Sequence, residues 1–368
     1  MSSSRWLAVI AAASVLALGV AACGSSDDET ASSASGGGDL SGEIAGAGAT
    51  SQEAAQEAWI ANFENENSGV TISYDPVGSG GGREQFNAGG VAYAGSDAAI
   101  SEEEGELKTA IKRCGPGELI EVPAYVSPIA IIYNLPEVEG LQLSPETLAK
   151  IFNQEITTWN DKAIAADNPG VDLPDTRITP VNRSDESGTT ENFTEYMSEV
   201  VPSVWTHEVS GDWPVKGGEA ASGTSGVVEA VTAGEGAIGY ADASQAGENE
   251  IAKIEVGKEF VEPTPEAAAA ILEESPEDKE LSAGKYMFPF ALDRKTESSG
   301  TYPIVLVSYL LACTEYKSAS EAEIVKGYLE YAISEEGQKA AAENAGSAPL
   351  SASLTEKITP AVEAIKVG

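Results

Sequence analysis

Four short segments of this chain place glycine and hydroxyl residues, in three of them with an acid, where a strand-like run gives way to a helix-like one. They are GAGATS (46–51), GSGGGRE (78–84), GSDAA (95–99) and RSDESGTT (183–190). The last contains Arg183 beside Asp185 and Glu186, with Ser184, Ser187, Gly188, Thr189 and Thr190 around them. A helix N-terminus offers unpaired N–H groups and the positive end of the peptide dipole. Hydroxyls add hydrogen bonds that strengthen against a charged acceptor, and an arginine adds a two-pronged fork. Taken singly, each segment reads as an ordinary turn or N-cap. Four of them in one chain, with Arg183 among them, suit a small oxyanion. No GK[ST] follows a glycine loop, so the nucleotide P-loop is absent.

Composition narrows the alternatives. The 368 residues carry 21 Lys and Arg against 59 Asp and Glu, a formal net charge of −38. That field opposes nucleic acid and anionic membrane surfaces as partners. An anion must therefore be captured at short range by groups that act against the global charge. The single histidine, His207, stands beside Trp205 and Glu208 and reads as a surface or packing residue. No serine lies in a GxSxG elbow, no CxxC is present, and no Asp/His grouping suggests a metal. A secreted phosphatase needs a nucleophile with its base or a metal cluster, and neither is legible. No cofactor is called for.

The elements that must position these turns alternate through the chain. GEIAGAG, GVTISYD and VAYAGSDAAI read as strands, and SQEAAQEAWIANFENEN as a helix with Ala55, Trp59 and Phe63 four residues apart. GSGGG is expected to be a loop before a short helix REQFNAG, and residues 101–113 a further helix. Pro123 and Pro128 interrupt the apolar run LIEVPAYVSPIAIIYNL, which predicts a crossing between units rather than one strand. Further on, Ser144 caps SPETLAKIF, ITPVNRS is a strand, and SGTTENFTEYMSEV and GTSGVVEAVTAG are helices. GAIGYADA is a strand, TPEAAAAILEES a helix, TYPIVLVSYLLA a buried strand or crossover, and 320–344 one long acidic helix. Alternating strands and helices make this an α/β protein of about two domains.

The N-terminus sets the address. Arg5 precedes an apolar run from Trp6 to Ala22 that ends on small residues at Cys23. That is the pattern of a signal peptide, 1–22. VAAC, Val20 to Cys23, resembles the bacterial lipobox, which implies lipidation of Cys23; simple secretion and an uncleaved anchor are the alternatives. Residues 24–41 are Gly, Ser and acid, a flexible tether of about 20 Å or more. Outside the cytosol, Cys114 and Cys313 favour a disulfide over two free thiols.

In this order, GAGATS, VGSGGG, AGSDAAI and NRSDESGTT resemble the phosphate-binding proteins of bacterial ABC phosphate importers. ITTWNDKAIAADNPGVDLP, GAIGYADA and GYLEYAISEEGQKAAAENAG extend the resemblance from about Gly42 to the C-terminus. It implies a two-lobed periplasmic-binding-protein fold of type II with the ligand in the interlobe cleft. Lobe one would be 42–127 plus 300–368, and lobe two 128–299, with both cysteines in lobe one. By the same resemblance, phosphate would be held by Thr50, Ser51, Ser79, Asp97, Arg183, Ser187, Gly188 and Thr189, with Asp185 pairing with Arg183. Two positions depart from the family pattern. Ser51 stands where an aromatic is usual, and Glu186 where a glycine is usual. Asp97 faces an anion with a carboxylate, which serves selectivity: phosphate near neutral pH donates a proton to it, and sulfate has none. The implied function is a lipid-anchored, monomeric, extracytoplasmic receptor that delivers inorganic phosphate to a membrane permease. A receptor for sulfate or molybdate is the alternative within the same class.

Overall fold

The computed structural model describes residues 40–102 and 105–368. The signal peptide, Cys23 and the tether up to residue 39 lie outside the described residues. The chain opens with β1 (Ser41–Gly48), α1 (Glu53–Glu66), β2 (Gly69–Asp75), α2 (Ser79–Ala88), β3 (Tyr93–Ser96) and α3 (Glu106–Cys114). It continues through β4 (Leu119–Tyr133), β5 (Gln142–Leu143), α4 (Pro145–Phe152), α5 (Lys162–Asp167), β6 (Thr179–Arg183) and α6 (Gly188–Val200). Next come β7 (Glu219–Ala221), α7 (Gly223–Ala233), β8 (Ala237–Asp242), β9 (Glu250–Val256), β10 (Glu259–Val261), α8 (Pro265–Glu274) and β11 (Tyr286–Met287). The chain closes with β12 (Val305–Cys313), α9 (Ala319–Ile333), α10 (Glu335–Ala345) and α11 (Ala352–Glu363). Among the described residues no helix is long and apolar enough to cross a membrane.

The main sheet runs β2-β1-β3-β12-β4-β8-β6-β7, with β9 also on β4 and β11 beside its start. β1 is parallel to β2 and β3, and β6 is parallel to β7 and β8. β12 is antiparallel to both β3 and β4. Of the parallel strands, β1, β2, β3, β6 and β7 are each followed by a turn and a helix, which gathers those turns at the carboxyl ends of the strands. Helix α1 buries Ala55, Trp59 and Phe63, the four-residue repeat that the sequence displays.

Residues 119–133 form one strand, against the expectation of a break. It is buried over its whole length and changes partners midway. Leu119 to Pro128 pair with β12, and Ile129 to Tyr133 pair with β8. The prolines sit where a missing N–H costs least. Pro123 lies beside the register shift opposite Ser308 and Tyr309, and Pro128 is the last residue paired with β12. Bulges and ladder ends are the positions at which a strand tolerates proline.

Three helices also differ from expectation. α3 starts at Glu106 rather than 101. The acidic stretch 320–344 is two helices, α9 and α10, broken at Ser334, whose side chain accepts from Gly337 N at 3.1 Å and caps the second. α2 begins at Ser79 and so takes Gly80, Gly81 and Gly82 into its first turns instead of leaving them as a loop. The glycines allow close approach rather than flexibility. A Cβ on Gly82 would lie 2.3 Å from Gly48 Cα and 2.8 Å from Ala47 O. Cys114, at the end of α3, and Cys313, at the end of β12, are joined by a disulfide.

Gly82→Ala tests this packing. Backbone blocks the added methyl, so α2 has to move off β1, and we expect a loss of about 1–3 kcal/mol in urea unfolding. Unchanged stability would mean the glycines serve no close contact.

Candidate functional site

Asp97, in the turn after β3, lies at the centre of the glycine-bearing turns. It is 3% exposed. Its Oδ1 accepts from Ser51 Oγ at 2.6 Å and from Ser308 Oγ at 2.6 Å, and its Oδ2 from Thr189 Oγ1 at 3.2 Å. Its own N–H donates to Ser79 Oγ at 3.1 Å, and its carbonyl accepts from Asn192 Nδ2 at 2.8 Å. Burial raises the Asp97 pKa above the ordinary carboxylate value; the hydroxyls of Ser308, Ser51 and Thr189, then the Arg183 charge, oppose that rise.

A second cluster surrounds Arg183 at the end of β6. Its Nε donates to Asp185 Oδ1 at 2.9 Å and its Nη2 to Asp185 Oδ2, a bidentate pair. Burial pushes Asp185 up, but the hydrogen bonds and charge of Arg183 outweigh it and hold the carboxyl below its usual range. Asp185 also accepts from Gly223 N at 3.0 Å, at the first turn of α7. The next residue, Thr224, meets Thr50: their hydroxyls are 2.8 Å apart, and Thr224 N donates to Thr50 Oγ1 at 3.2 Å. Gln245 Nε2 then holds the carbonyls of Thr50 and Ser51 at 2.8 and 3.2 Å. A Cβ on Gly78 would lie 3.5 Å from Arg183 Nη2, which brings the Ser79 turn against the same guanidinium.

The start of α6 completes the set. Ser187 Oγ accepts from Thr190 N at 3.2 Å, an N-cap, and this leaves its hydroxyl proton to donate elsewhere. Ser187 N–H is used by Gly211 O at 3.1 Å. A Cβ on Gly188 would lie 2.6 Å from both Asp97 Cβ and Ser79 Oγ, so this helix start abuts the Asp97 turn. Of the eight residues expected to hold the anion, Ser51, Ser79, Gly188 and Thr189 thus meet Asp97, Thr50 lies beside the Arg183–Asp185 pair through Gly223 and Thr224, and Ser187 caps the helix start that abuts Asp97. A cavity of about 800 Å³ opens beside them, lined by Val77, Arg83, Glu106, Asp185 and Glu186 among others. The arrangement supplies hydroxyls, a helix start and one guanidinium around one buried acceptor. Among the described residues no group of His, Cys, Asp and Glu could hold a metal ion.

A family model described as the PBP superfamily domain matches residues 32–336. The phosphate-binding protein PstS2 of Mycobacterium bovis is 34% identical over 96% of this chain and 98% of its own length. The phosphate-binding protein PstS 3 of Mycobacterium leprae is 34% identical over 86% of this chain and 85% of its own. The chain belongs to the phosphate-binding protein family. Its fold is shared with a solved high-affinity periplasmic phosphate-binding protein bound with phosphate, at a TM-score of 0.72 and 22% identity over 86% of this chain and 93% of that one. A phosphate-binding protein from Stenotrophomonas maltophilia matches at a TM-score of 0.65 and 18% identity, over 87% and 93%. The architecture is therefore the two-lobed α/β fold of this family.

In this family member four contributors were not legible as site residues. Ser308 lies within the apolar run of β12 and reads as core. Thr224 sits in GTSGVVEAVTAG, which reads as a helix rather than as a turn after a strand. Asn192 donates to Gly188 O at 2.8 Å as well as to Asp97 O, and is itself held by Arg294. Arg83 is another buried guanidinium: its Nη1 donates to Ser96 Oγ at 2.9 Å and its Nε to Glu106 at 2.8 Å. The departure at Ser51 has a local reason, since its hydroxyl is one of the donors to Asp97.

Ser308→Ala removes one donor from the buried carboxylate. With its pKa raised by burial, Asp97 favours the folded state while protonated, and that contribution is lost as pH rises through its folded pKa. Losing a donor to the ionised form enlarges this loss. We expect unfolding at pH 8 to show a deficit of about 1–3 kcal/mol against the parent, shrinking toward pH 4. An equal deficit at both pH values would assign Ser308 to packing alone.

Proposed function

We propose that this chain is an extracytoplasmic receptor that captures inorganic phosphate between two lobes and delivers it to the permease of an ABC importer. The observation that carries this reading is Asp97: a buried carboxylate set among hydroxyl donors, a helix start and Arg183. An anion without a proton meets an uncompensated acceptor there, whereas phosphate offers its own proton. Mispaired buried acceptors of this kind discriminate by several orders of magnitude. The names of the family relatives support the same ligand.

The ligand set is Thr50, Ser51, Ser79 and Asp97 from lobe one (42–127 with 300–368), and Arg183, Ser187, Gly188 and Thr189 from lobe two (128–299), with Asp185 tempering Arg183. The change of strand partners at Pro128 and Ile129, opposite Val305, supports these boundaries. The protein is a receptor and not an enzyme. Its one histidine supports this, lying 3.2 Å from Asn153 Oδ1 and edge-on to Trp205 rather than beside Asp97. Cys23 carries the lipid, and the receptor works as a monomer.

Calorimetric titration with phosphate, sulfate and a phosphate monoester tests this directly. Phosphate should bind tightly and the other two weakly. Asp97→Asn should reduce the phosphate-to-sulfate ratio by about 10² or more, while Arg183→Ala weakens both anions together. A variant at Asp97 that rejects sulfate as strongly as the parent removes Asp97 as the discriminating group. A parent that prefers sulfate overturns the reading altogether. The charge of −38 gives a kinetic check. Phosphate on-rates should increase as salt rises to about 0.1 M, because screening weakens the long-range repulsion of the dianion.

A further inference from the structure

Of the two acids in RSDESGTT, Asp185 stays with Arg183, and Glu186 reaches to a different part of the chain. Its Oε1 accepts from Arg83 Nη2 at 2.6 Å. The arginine side chain is 7% exposed and the glutamate side chain 45%. Arg83 does not depend on Glu186 for its place, since Glu106 and Ser96 hold its other nitrogens. The carboxylate also has a shaped seat. A Cβ on Gly80 would lie 1.6 Å from Glu186 Oε2, and its three nearest neighbours are all atoms of the Glu186 carboxylate. On the other side, a Cβ on Gly211 would lie 3.1 Å from Glu186 Cγ. Glu186 therefore passes between two residues without side chains to meet a guanidinium fixed in advance.

In the two-lobe reading, Gly80 and Arg83 belong to lobe one and Glu186 to lobe two. We infer that Glu186 is a strap across the mouth of the cleft: it docks on Arg83 in the closed state and sets the rate at which phosphate leaves. This rests on the receptor function proposed above. The sign of the effect separates the strap from simple electrostatics. A carboxylate acting only through its charge repels a bound anion, so removing it would slow release. A carboxylate acting as a strap stabilises closure, so removing it speeds release, and interactions formed after encounter act mainly on the off-rate.

The experiment times release of inorganic phosphate by stopped flow into an excess of a fluorescent phosphate-capturing protein. Glu186→Gln and Glu186→Ala should each release phosphate about three- to tenfold faster, with on-rates within about twofold of the parent, as expected for a half-buried ion pair. Gly80→Ala places a methyl in the seat and should accelerate release to a similar extent. In the Glu186→Ala background it should add nothing, because its clash is with Glu186. Unchanged or slower release in the Glu186 variants overturns the strap, as does an equal effect of Gly80→Ala with and without Glu186. Calorimetry on the parent distinguishes the two failures. A parent that does not bind phosphate overturns receptor and strap together, whereas a parent that binds it with release insensitive to Glu186 overturns the strap alone.

Discussion

The rest of the structure is arranged around one costly feature, a carboxylate buried among hydroxyl-rich turns. An unpaired buried charge costs several kcal/mol, so Asp97 has to be satisfied by donors with exact roles and little net charge of their own. Those donors come from separate parts of the chain: Ser51 from the turn after β1, Ser308 from β12, and Thr189 from the first turn of α6. Asn192, one turn further along α6, holds the Asp97 backbone. No single element can complete this set. The order of strands, with β3 beside both β1 and β12, brings the first two donors to Asp97, and the α6 start has to be packed against it for the third.

Charge is handled locally in the same way. Among the described residues the buried arginines are Arg83, Arg183 and Arg294, and each is paired with at least one carboxylate. Among the described residues these pairings compensate the buried guanidinium charges, so they do not offset the net charge of −38. The protein uses directed donors that matter only at contact distance, where Coulombic repulsion from the surface is screened and diffuse. Arg294 shows how far this extends. It lies just ahead of β12, donates to the carbonyls of Pro303 and Val305, and reaches Asn192 and Glu195 on α6. One guanidinium thus ties the strand that supplies Ser308 to the helix that supplies Thr189.

Much of this is legible in the sequence. Glycine-hydroxyl turns between a strand and a helix are local signals, and the turns bearing Thr50, Ser79, Asp97 and Ser187 stood out by residue type and spacing. The period of α1 and the Ser144 and Ser187 caps were equally local. What escaped was set by contacts distant in sequence. Ser308 is a polar residue in an apolar strand, and only the pairing of β12 with β3 and β4 turns it toward Asp97. Thr224 lies in a segment that reads as helix, and only its meeting with Thr50, 174 residues away, gives it a role. Pro123 and Pro128 argued for a break in β4 because a proline forfeits a ladder hydrogen bond. The sheet met that demand with a register shift and a change of partner, which no local reading of residues 119–133 contains.

That change of partner links the chemistry of the site to the mechanics of the fold. β4 and β12 run side by side from Cys313 to Val305 and then part company, and the register shift in their pairing falls between Ser308 and Tyr309. Ser308 is thus both a residue of the irregular step and a donor to Asp97. Its hydroxyl gives its one proton to Asp97 and accepts from Gln52 Nε2 at 2.5 Å, and Gln52 ends the turn that begins with Thr50 and Ser51. A hydroxyl has a single proton to donate, so it cannot serve both Asp97 and a new acceptor. A twist of β12 that turns Ser308 away from Asp97 therefore takes a donor from a buried charge and loosens the Gln52 turn in the same movement. Residues that carry the chain between the two halves of the sheet are for this reason also part of the Asp97 hydrogen-bond network, and its bonds favour one setting of the strands that cross between them.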